Sequence, residues 1–250
     1  MSAPTPPPEL RERFDKAGGK PTYVRGMFGH IAGVYDLMNR VMTGGLDGRW
    51  RAFAAHQLAL PPGARVLDIG TGTGDLAITV AREYSTAHVV GVDFTPEMLA
   101  VGREKVLKLG LGKRIELQQE DGEHLSAADA SFDACCSAFV VRNMTDPEAG
   151  FREMARVIRP GGRVVCLEIS HPHNPLLAAG YHLYFNRLVP WIGSFVGRSF
   201  DAYSYLPTSV GSFPDAPRLA TIMARAGLAD VHYFGLFGGV VAVHVGTRTS

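Results

Sequence analysis

The segment VLDIGTGTGDLA, from Val66 to Ala77, limits the possible folds more than any other part of the sequence. It has the pattern of a β-strand, a glycine-rich turn and the first residues of a helix. Gly70, Gly72 and Gly74 allow the backbone to turn sharply and to approach a ligand closely. The segment therefore predicts a βα unit with a ligand-binding turn at the carboxyl end of its strand.

Strand and helix patterns alternate after this unit. The strand-like runs are ARVLDIG, HVVGVD, RIELQQED, FDACCSAFVV and GRVVCLEIS, and the helical stretches are Asp75–Glu83, Pro96–Leu109 and Pro147–Ile158. Such alternation predicts right-handed βαβ units and a parallel sheet. After a further helix, Pro217–Ala226, the runs DVHYFGL and VVAVHVG are joined by a connection so short that they should pair antiparallel. We expect an α/β fold with a Rossmann-like, seven-stranded, mostly parallel sheet and an antiparallel last strand.

The N-terminal quarter of the chain shows helical patterns and no strand. Residues 1–24 begin with a run of prolines, and we expect them to form a disordered tail in front of a single domain, residues 25–250. Within residues 25–60, apolar residues recur at helical spacing from Phe28 to Met42, and a Thr-Gly-Gly break follows. Asp47 is expected to cap a second helix.

Composition excludes some classes of protein. The formal net charge of +1 gives no basic surface of the kind that binds nucleic acid. The three cysteines lie in apolar runs, which indicates reduced core thiols and a reducing compartment. The N-terminal segment has no apolar core typical of a signal peptide, and the longest apolar stretch, Leu176–Gly197, is interrupted by polar residues and a proline. We therefore expect a cytoplasmic protein.

Residues around the glycine turn favour a cationic ligand over a dinucleotide. A dinucleotide fingerprint would place its third glycine at position 75, where the sequence has Asp75. A carboxylate there would repel a pyrophosphate at the helix N-terminus, so an NAD-linked enzyme is the least favoured interpretation. Asp68, just before the turn, suits an ammonium or sulfonium group. Asp93, at the end of the next strand, can accept hydrogen bonds from both hydroxyls of a ribose.

The next two strands add residues of the same kind at the same edge of the sheet. Asp121 follows the third strand and could accept an adenine amino group, and Ser137 ends the fourth. Together these features resemble the class I S-adenosylmethionine-dependent methyltransferases over roughly residues 60–250. The resemblance implies S-adenosylmethionine as the cofactor and no metal. Its expected contacts are Asp68, Gly70, Thr73, Gly74, Asp93, Asp121, Gly122 and Ser137.

Four segments together resemble a more specific family, the demethylmenaquinone/2-methoxy-6-polyprenyl-benzoquinol C-methyltransferases. They are MFGHIAGVYDLMNRVMTGG, VVRNMTD, RVIRPGGRVVCLEIS and YSYLPTSVGSFPDAPRLATIMARAGL followed by LFGGVVAVHVG, within Arg25–Arg248. The resemblance implies transfer of a methyl group to a ring carbon of a prenylated hydroquinone, either demethylmenaquinol or the related benzoquinol. Two positions depart from the family: Asp47 stands where a histidine is common, and Phe237 where a threonine is common.

Position in the predicted sheet indicates where the acceptor would bind. Arg142 and Asn143 follow the fourth strand, at the edge where substrates bind in open α/β sheets, and are the expected catalytic residues. We hypothesise that Arg142 stabilises the phenolate form of the acceptor; the alternative is that it is an ordinary salt-bridge partner. Residues 25–60 would form a helical lid over the acceptor. Tyr35 and Asn39 of this lid, and His171 after the fifth strand, are the expected substrate contacts.

A prenylated acceptor resides in a bilayer, so the enzyme would have to meet it at the membrane surface. The aromatic-rich segment 171–214, with Arg187 and Arg198, is the expected contact, at the inner face of the membrane. Two other functions stay open: methylation of another small hydrophobic acceptor, and S-adenosylmethionine binding without catalysis. The sequence predicts no oligomeric state.

Overall fold

The computed structural model describes residues 8–172, 174, 180, 184 and 200–249. Its helices are α1 Pro8–Ala17, α2 Lys20–Ile31, α3 Tyr35–Thr43, α4 Asp47–Gln57, α5 Asp75–Glu83, α6 Pro96–Lys108, α7 Pro147–Val157, α8 Phe200–Gly211 and α9 Ala216–Arg225. Its strands are β1 Arg65–Ile69, β2 His88–Asp93, β3 Ile115–Gln119, β4 Phe132–Ala138, β5 Ile158–Ile169, β6 Leu228–Leu236 and β7 Val241–Arg248. Single 3₁₀ turns lie at Val141–Asn143 and Phe237–Gly239.

The seven strands form one sheet in the order β3-β2-β1-β4-β5-β7-β6. The first five pair in parallel, and β7 pairs antiparallel with both β5 and β6. This topology confirms the predicted seven-stranded, mostly parallel sheet. The strand order reverses between β1 and β4, and in open α/β sheets ligands bind beyond the carboxyl ends of strands at such a point.

Helices cover both faces of the sheet. One apolar cluster joins the sheet to α4, α5 and α6, and a second joins its other face to α7 and α9. Burial on both faces explains why the central strands are almost continuously apolar in sequence. Cys135, Cys136 and Cys166 are buried and free, as expected of core thiols.

The predicted tail is helical over its described part. Residues 8–24 lie in α1 and in the first turns of α2, so the prediction of disorder through residue 24 is wrong from Pro8 onward. Leu10 and Phe14, one turn apart, are buried against α2 and α8. The run of prolines at the start of the segment favoured a disordered tail. The short apolar face was not evident in the sequence, because Tyr205, which helps to cover it, lies far along the chain.

The helices of residues 25–60, the predicted lid, also differ from the expected ones. The expected helix from Phe28 to Met42 is interrupted at Ala32–Val34, so α2 and α3 are separate. Asp47 is not an N-cap: it lies inside α4, where its carboxylate accepts hydrogen bonds from Arg51 Nη1 at 2.5 Å and Thr43 Oγ1 at 3.1 Å. Arg51, one turn further along the helix, offers this carboxylate a charged donor, which binds it more strongly than a backbone amide does.

Much of the segment 171–214 lies outside the described residues, including the predicted membrane contacts Arg187 and Arg198. In its described part, α8 packs on α2 through the buried side chain of Tyr205. The Tyr184 hydroxyl donates a hydrogen bond to the carbonyl of Met42, at the end of α3. No helix among the described residues is both long enough and apolar enough to cross a bilayer.

Candidate cofactor and acceptor site

The glycine turn between β1 and α5 adopts a conformation that side chains disfavour. Gly70, Gly72 and Gly74 have φ angles of +64°, +55° and +81°. A Cβ atom at Gly70 would lie 2.2 Å from Cγ2 of Val140, which follows β4. The backbone therefore needs glycine at Gly70 for both its φ angle and its close approach to the neighbouring chain.

Asp68 supports this turn from inside the protein. Its Oδ2 atom accepts hydrogen bonds from Thr71 Oγ1 at 2.7 Å and from the Ala77 amide at 3.1 Å. The Cys136 thiol is 3.8 Å from its Oδ1 atom. Burial raises the pKa of Asp68 to about 7. These contacts are with the protein, so a direct contact of Asp68 with the cofactor remains a prediction.

The raised pKa of Asp68 predicts a specific dependence of stability on pH. The folded state holds the proton of the Asp68 carboxyl more tightly than the unfolded state does. The protonated carboxyl therefore contributes fully to the free energy of unfolding below about pH 4, and this contribution is lost as pH rises through about 7. Asp68→Asn should remove this dependence, so the variant should gain stability relative to wild type between pH 5 and pH 8. Urea unfolding across that range measures the difference, with the exposed Glu104→Gln variant as the control. A pH-independent difference would contradict this assignment.

Asp93 joins the end of β2 to the glycine turn. Its two carboxylate oxygens accept hydrogen bonds from the Gly72 amide at 2.9 Å and from the Thr95 amide at 2.8 Å. A carboxylate has about four acceptor positions, so a ribose hydroxyl can still bind here. The predicted cofactor-binding turn and the predicted ribose-binding residue are therefore adjacent.

The remaining predicted cofactor residues lie around the ends of β1, β3 and β4. Gly122 approaches β1 so closely that a Cβ atom would be 2.5 Å from Ile69 Cγ2. Its neighbour Asp121 is exposed and accepts a hydrogen bond from the Glu123 amide at 2.9 Å. Ser137 pairs in register with Ile69, and its hydroxyl is buried without a hydrogen-bond partner among the described residues. The structure thus brings these residues to one edge of the sheet.

Arg142 is held by a carboxylate that the sequence analysis missed. Its Nη1 atom donates hydrogen bonds to the Phe139 carbonyl at 2.6 Å and to Glu168 Oε2 at 3.1 Å. Glu168 is 1% exposed, and its Oε1 atom also accepts a hydrogen bond from the backbone amide of Arg142 at 3.3 Å. The salt-bridge alternative is therefore correct as a description of this contact. An acidic residue in the otherwise apolar strand GRVVCLEIS was the signal available in the sequence.

The salt bridge leaves part of the guanidinium group of Arg142 without a protein partner. Its Nε atom is buried and makes no hydrogen bond within the described part of the chain. Of the guanidinium nitrogen atoms, Glu168 binds Nη1, through both of its carboxylate oxygens. An unpaired buried N–H is unfavourable unless a ligand accepts it, so this arrangement fits an anionic oxygen.

Asn143, the second predicted catalytic residue, is also held in place. Its Oδ1 atom accepts a hydrogen bond from the Tyr205 hydroxyl at 3.1 Å. Burial raises the pKa of Tyr205 to about 12, so this hydroxyl keeps its proton and remains a donor. The interaction leaves the amide nitrogen of the Asn143 side chain without a described contact to protein.

Helix α3 is attached to the glycine turn by Asp36. The two carboxylate oxygens of Asp36 accept hydrogen bonds from Thr73 Oγ1 at 2.5 Å and from Lys105 Nζ at 2.6 Å. Lys105 also binds Asp75 at 2.5 Å, and Arg51 lies 3.8 Å from the same carboxylate. This network holds α3 directly beside the predicted cofactor residue Thr73.

The three predicted substrate contacts lie in different environments. Tyr35 is partly buried and packs edge-to-face on Phe28 at a centroid distance of 5.8 Å. Asn39 is partly buried on the same helix, one turn away. His171 is tied to the protein, because its Nε2 atom lies 3.1 Å from the Phe213 carbonyl. All three remain predictions as substrate contacts.

Solved structures with this fold have diverse functions. The chain superposes on an S-adenosylmethionine-dependent methyltransferase from Aquifex aeolicus with a TM-score of 0.57, 18% identity and coverage of 78% of this chain and 87% of that one. It superposes on the [4+2]-cyclase SpnF with a TM-score of 0.66, 16% identity and coverage of 91% and 95%. At such identities the likeness establishes the fold alone.

Sequence relatives are more specific. The chain is 43% identical over 226 residues to the ubiquinone/menaquinone biosynthesis C-methyltransferase UbiE of Geobacter sp. strain M21, covering 90% of this chain and 96% of the relative. It is 45% identical over 230 residues to the demethylmenaquinone methyltransferase of Roseiflexus castenholzii, covering 92% and 94%. The model of the ubiE/COQ5 methyltransferase family matches residues 16–248. With nearly its whole length matched, the chain belongs to the ubiE/COQ5 methyltransferase family.

Proposed function

We propose that this protein transfers a methyl group from S-adenosylmethionine to a ring carbon of a prenylated hydroquinone, either demethylmenaquinol or the related benzoquinol. Relatives named for these reactions support the reaction class. The observation that carries the acceptor assignment is the buried Arg142 Nε atom, which Glu168 orients and no described residue binds. It offers a hydrogen bond to the oxygen that becomes negatively charged when a phenol loses its proton.

The residues at the sheet edge fit S-adenosylmethionine. The turn at Gly70 has no side chain and packs closely on Val140, Asp93 retains free acceptor positions for a ribose, and Ser137 lies at the end of β4. Asp75 repels a pyrophosphate less than its charge alone predicts, because Lys105 and Arg51 pair with it. Membership of the methyltransferase family, rather than the charge of Asp75, is therefore the stronger reason to exclude an NAD-linked enzyme.

The chain itself contributes orientation and electrostatic stabilisation to the reaction. When bound, S-adenosylmethionine would supply a methyl group on a positively charged sulfur and would leave as S-adenosylhomocysteine. The ring carbon next to a phenolate is the nucleophile, and after it has bonded to the methyl group it releases its own proton, so that the ring becomes aromatic again. Arg142 stabilises the phenolate, and the amide of Asn143 orients the ring. The lid helix, held by Asp36, keeps water out, which favours a step in which opposite charges neutralise each other.

Product analysis tests the function directly. Purified protein, isotopically labelled S-adenosylmethionine and a panel of chemically reduced demethylated quinols are incubated, and products are identified by mass spectrometry. We expect label on a ring carbon of at least one naphthoquinol or benzoquinol. Methylation of other phenols or polyketides alone would favour a different hydrophobic acceptor. Tight cofactor binding without any transfer would favour a non-catalytic protein.

The lid interaction gives a further expected result. Asp36→Ala should raise the Kd for S-adenosylmethionine by about 10-fold to 100-fold, since a charge-assisted hydrogen bond to the cofactor-binding turn contributes roughly 1.5–3 kcal/mol. Isothermal titration calorimetry measures the affinity, with the exposed Asp15→Ala variant in α1 as the control. Unchanged affinity would show that α3 does not contribute to the cofactor site.

We also propose that the protein meets its acceptor at the cytoplasmic face of a membrane, through the segment 171–214. The support is chemical: a polyprenyl tail partitions into a bilayer, and the segment is rich in aromatic residues. Helix α3 would add to this apolar surface through its exposed side chains Leu37 and Val41. Flotation with liposomes of zwitterionic or anionic lipid should recover the protein in the lipid fraction. Equal recovery after replacement of the aromatic residues in 181–191 would contradict the assignment.

A further inference from the structure

The Val141–Asn143 turn is held from three separate elements of the fold. Glu168, at the end of β5, binds the amide and the guanidinium group of Arg142. Tyr205, on α8, binds the side chain of Asn143. The third contact comes from Lys20, at the start of α2, more than 120 positions away in the sequence.

Lys20 binds the backbone on both sides of Asn143. Its Nζ atom donates hydrogen bonds to the Arg142 carbonyl at 3.2 Å and to the Met144 carbonyl at 2.5 Å. A carbonyl position fixes the plane of its peptide bond, so these two contacts restrict the backbone before and after the Asn143 side chain. Burial lowers the pKa of Lys20 to about 8, with Glu123 opposing this effect and Arg142 adding to it.

The hydrogen bonds of Lys20 are distinct from the contacts that attach the N-terminal helices. Leu10, Phe14 and Val24 are buried and pack with Tyr205, and this apolar contact is sufficient to explain why α1 and α2 lie on α8. Burying an ammonium group is unfavourable, and it does not improve such packing. The placement of Lys20 is therefore explained by the turn that it binds.

We infer that Lys20 is a positioning residue for methyl transfer, which holds Arg142 and Asn143 in the orientation that the acceptor requires. This inference rests on the proposed function, because it assigns to Lys20 an effect that passes through Arg142. Docking of the N-terminal helices and the geometry of the acceptor site are thereby linked. Small displacements of oriented groups reduce rates strongly, so the effect should appear in kcat.

A double-variant cycle in the full-length protein tests the inference. Lys20→Met keeps the length of the side chain but removes the donor, and we expect it to lower kcat by about 10-fold to 100-fold. In an Arg142→Lys background the same change should lower kcat by a smaller factor, since one of the two groups that Lys20 positions is absent. Lys20→Arg should restore most of the activity. Lys16→Met, at an exposed lysine of α1, should match wild type.

Hydrogen exchange supplies a readout that does not depend on turnover. Lys20→Met should increase amide exchange in the peptide that spans 138–147 and leave the core strands unchanged. Unchanged exchange in that peptide would overturn the inference, as would a kcat that is unaffected or that falls equally in the Arg142→Lys background. If wild type methylates no quinol, the proposed function fails, while increased exchange in Lys20→Met would still support the positioning contact.

Discussion

Arg142→Lys is expected to lower kcat for quinol methylation by about 10²-fold to 10³-fold, the range found when one oriented donor to a developing oxyanion is removed. Lysine keeps a positive charge next to Glu168, so the salt bridge and most of the stability should be retained. It lacks the planar group whose Nε atom is buried and unpaired in the wild type. The loss should therefore be in the chemical step.

The accompanying measurements separate this effect from general damage. Calorimetric titration should give an unchanged Kd for S-adenosylmethionine, because the contacts around Gly70 and Asp93 do not involve Arg142. Arg159→Lys is a matched control, since Arg159 forms a surface ion pair with Asp133. Wild-type turnover in Arg142→Lys would show that the guanidinium group has no role in catalysis.

The architecture could be predicted because it depends on local patterns. Alternating apolar runs and helices specify a parallel sheet, and the short connection across Phe237–Gly239 specifies the antiparallel pair β6 and β7. Helix breaks were less predictable. The interruption at Ala32–Val34 lies within a continuous apolar periodicity, which gives no sign of a break. Asp47 was expected to cap a helix, but its carboxylate binds Arg51 instead.

The positions of the site residues were predictable where they follow strand ends. Asp93, Ser137 and Arg142 come together because parallel strands place their carboxyl ends at one edge. Their partners were not predictable in the same way. Lys20 and Glu168 contact the Val141–Asn143 turn from segments 122 and 26 positions from Arg142, and no local pattern encodes such pairings.

Substitution of Glu168 is expected to have the second large effect, a loss of thermal stability. Glu168→Gln removes the charge that compensates the buried guanidinium group of Arg142, and breaking a buried pair in this way costs about 3–5 kcal/mol. For a domain of this size the Tm should fall by roughly 6–20 °C. Thermal unfolding at neutral pH measures the change, and Glu153→Gln, at a partly exposed ion pair with Arg156, is a suitable control.

Adding Arg142→Met to Glu168→Gln separates two causes of this loss. The double variant no longer buries an uncompensated charge, so it should recover much of the Tm that Glu168→Gln loses, although it should remain inactive. Glutamine still offers an oxygen to the Ile169 amide, which donates to Glu168 Oε2 at 3.0 Å in the wild type. If the double variant were as unstable as Glu168→Gln, the backbone contacts of Glu168 would account for its effect. Recovery of the Tm without recovery of turnover would instead show that the ion pair is retained because the reaction requires the guanidinium group.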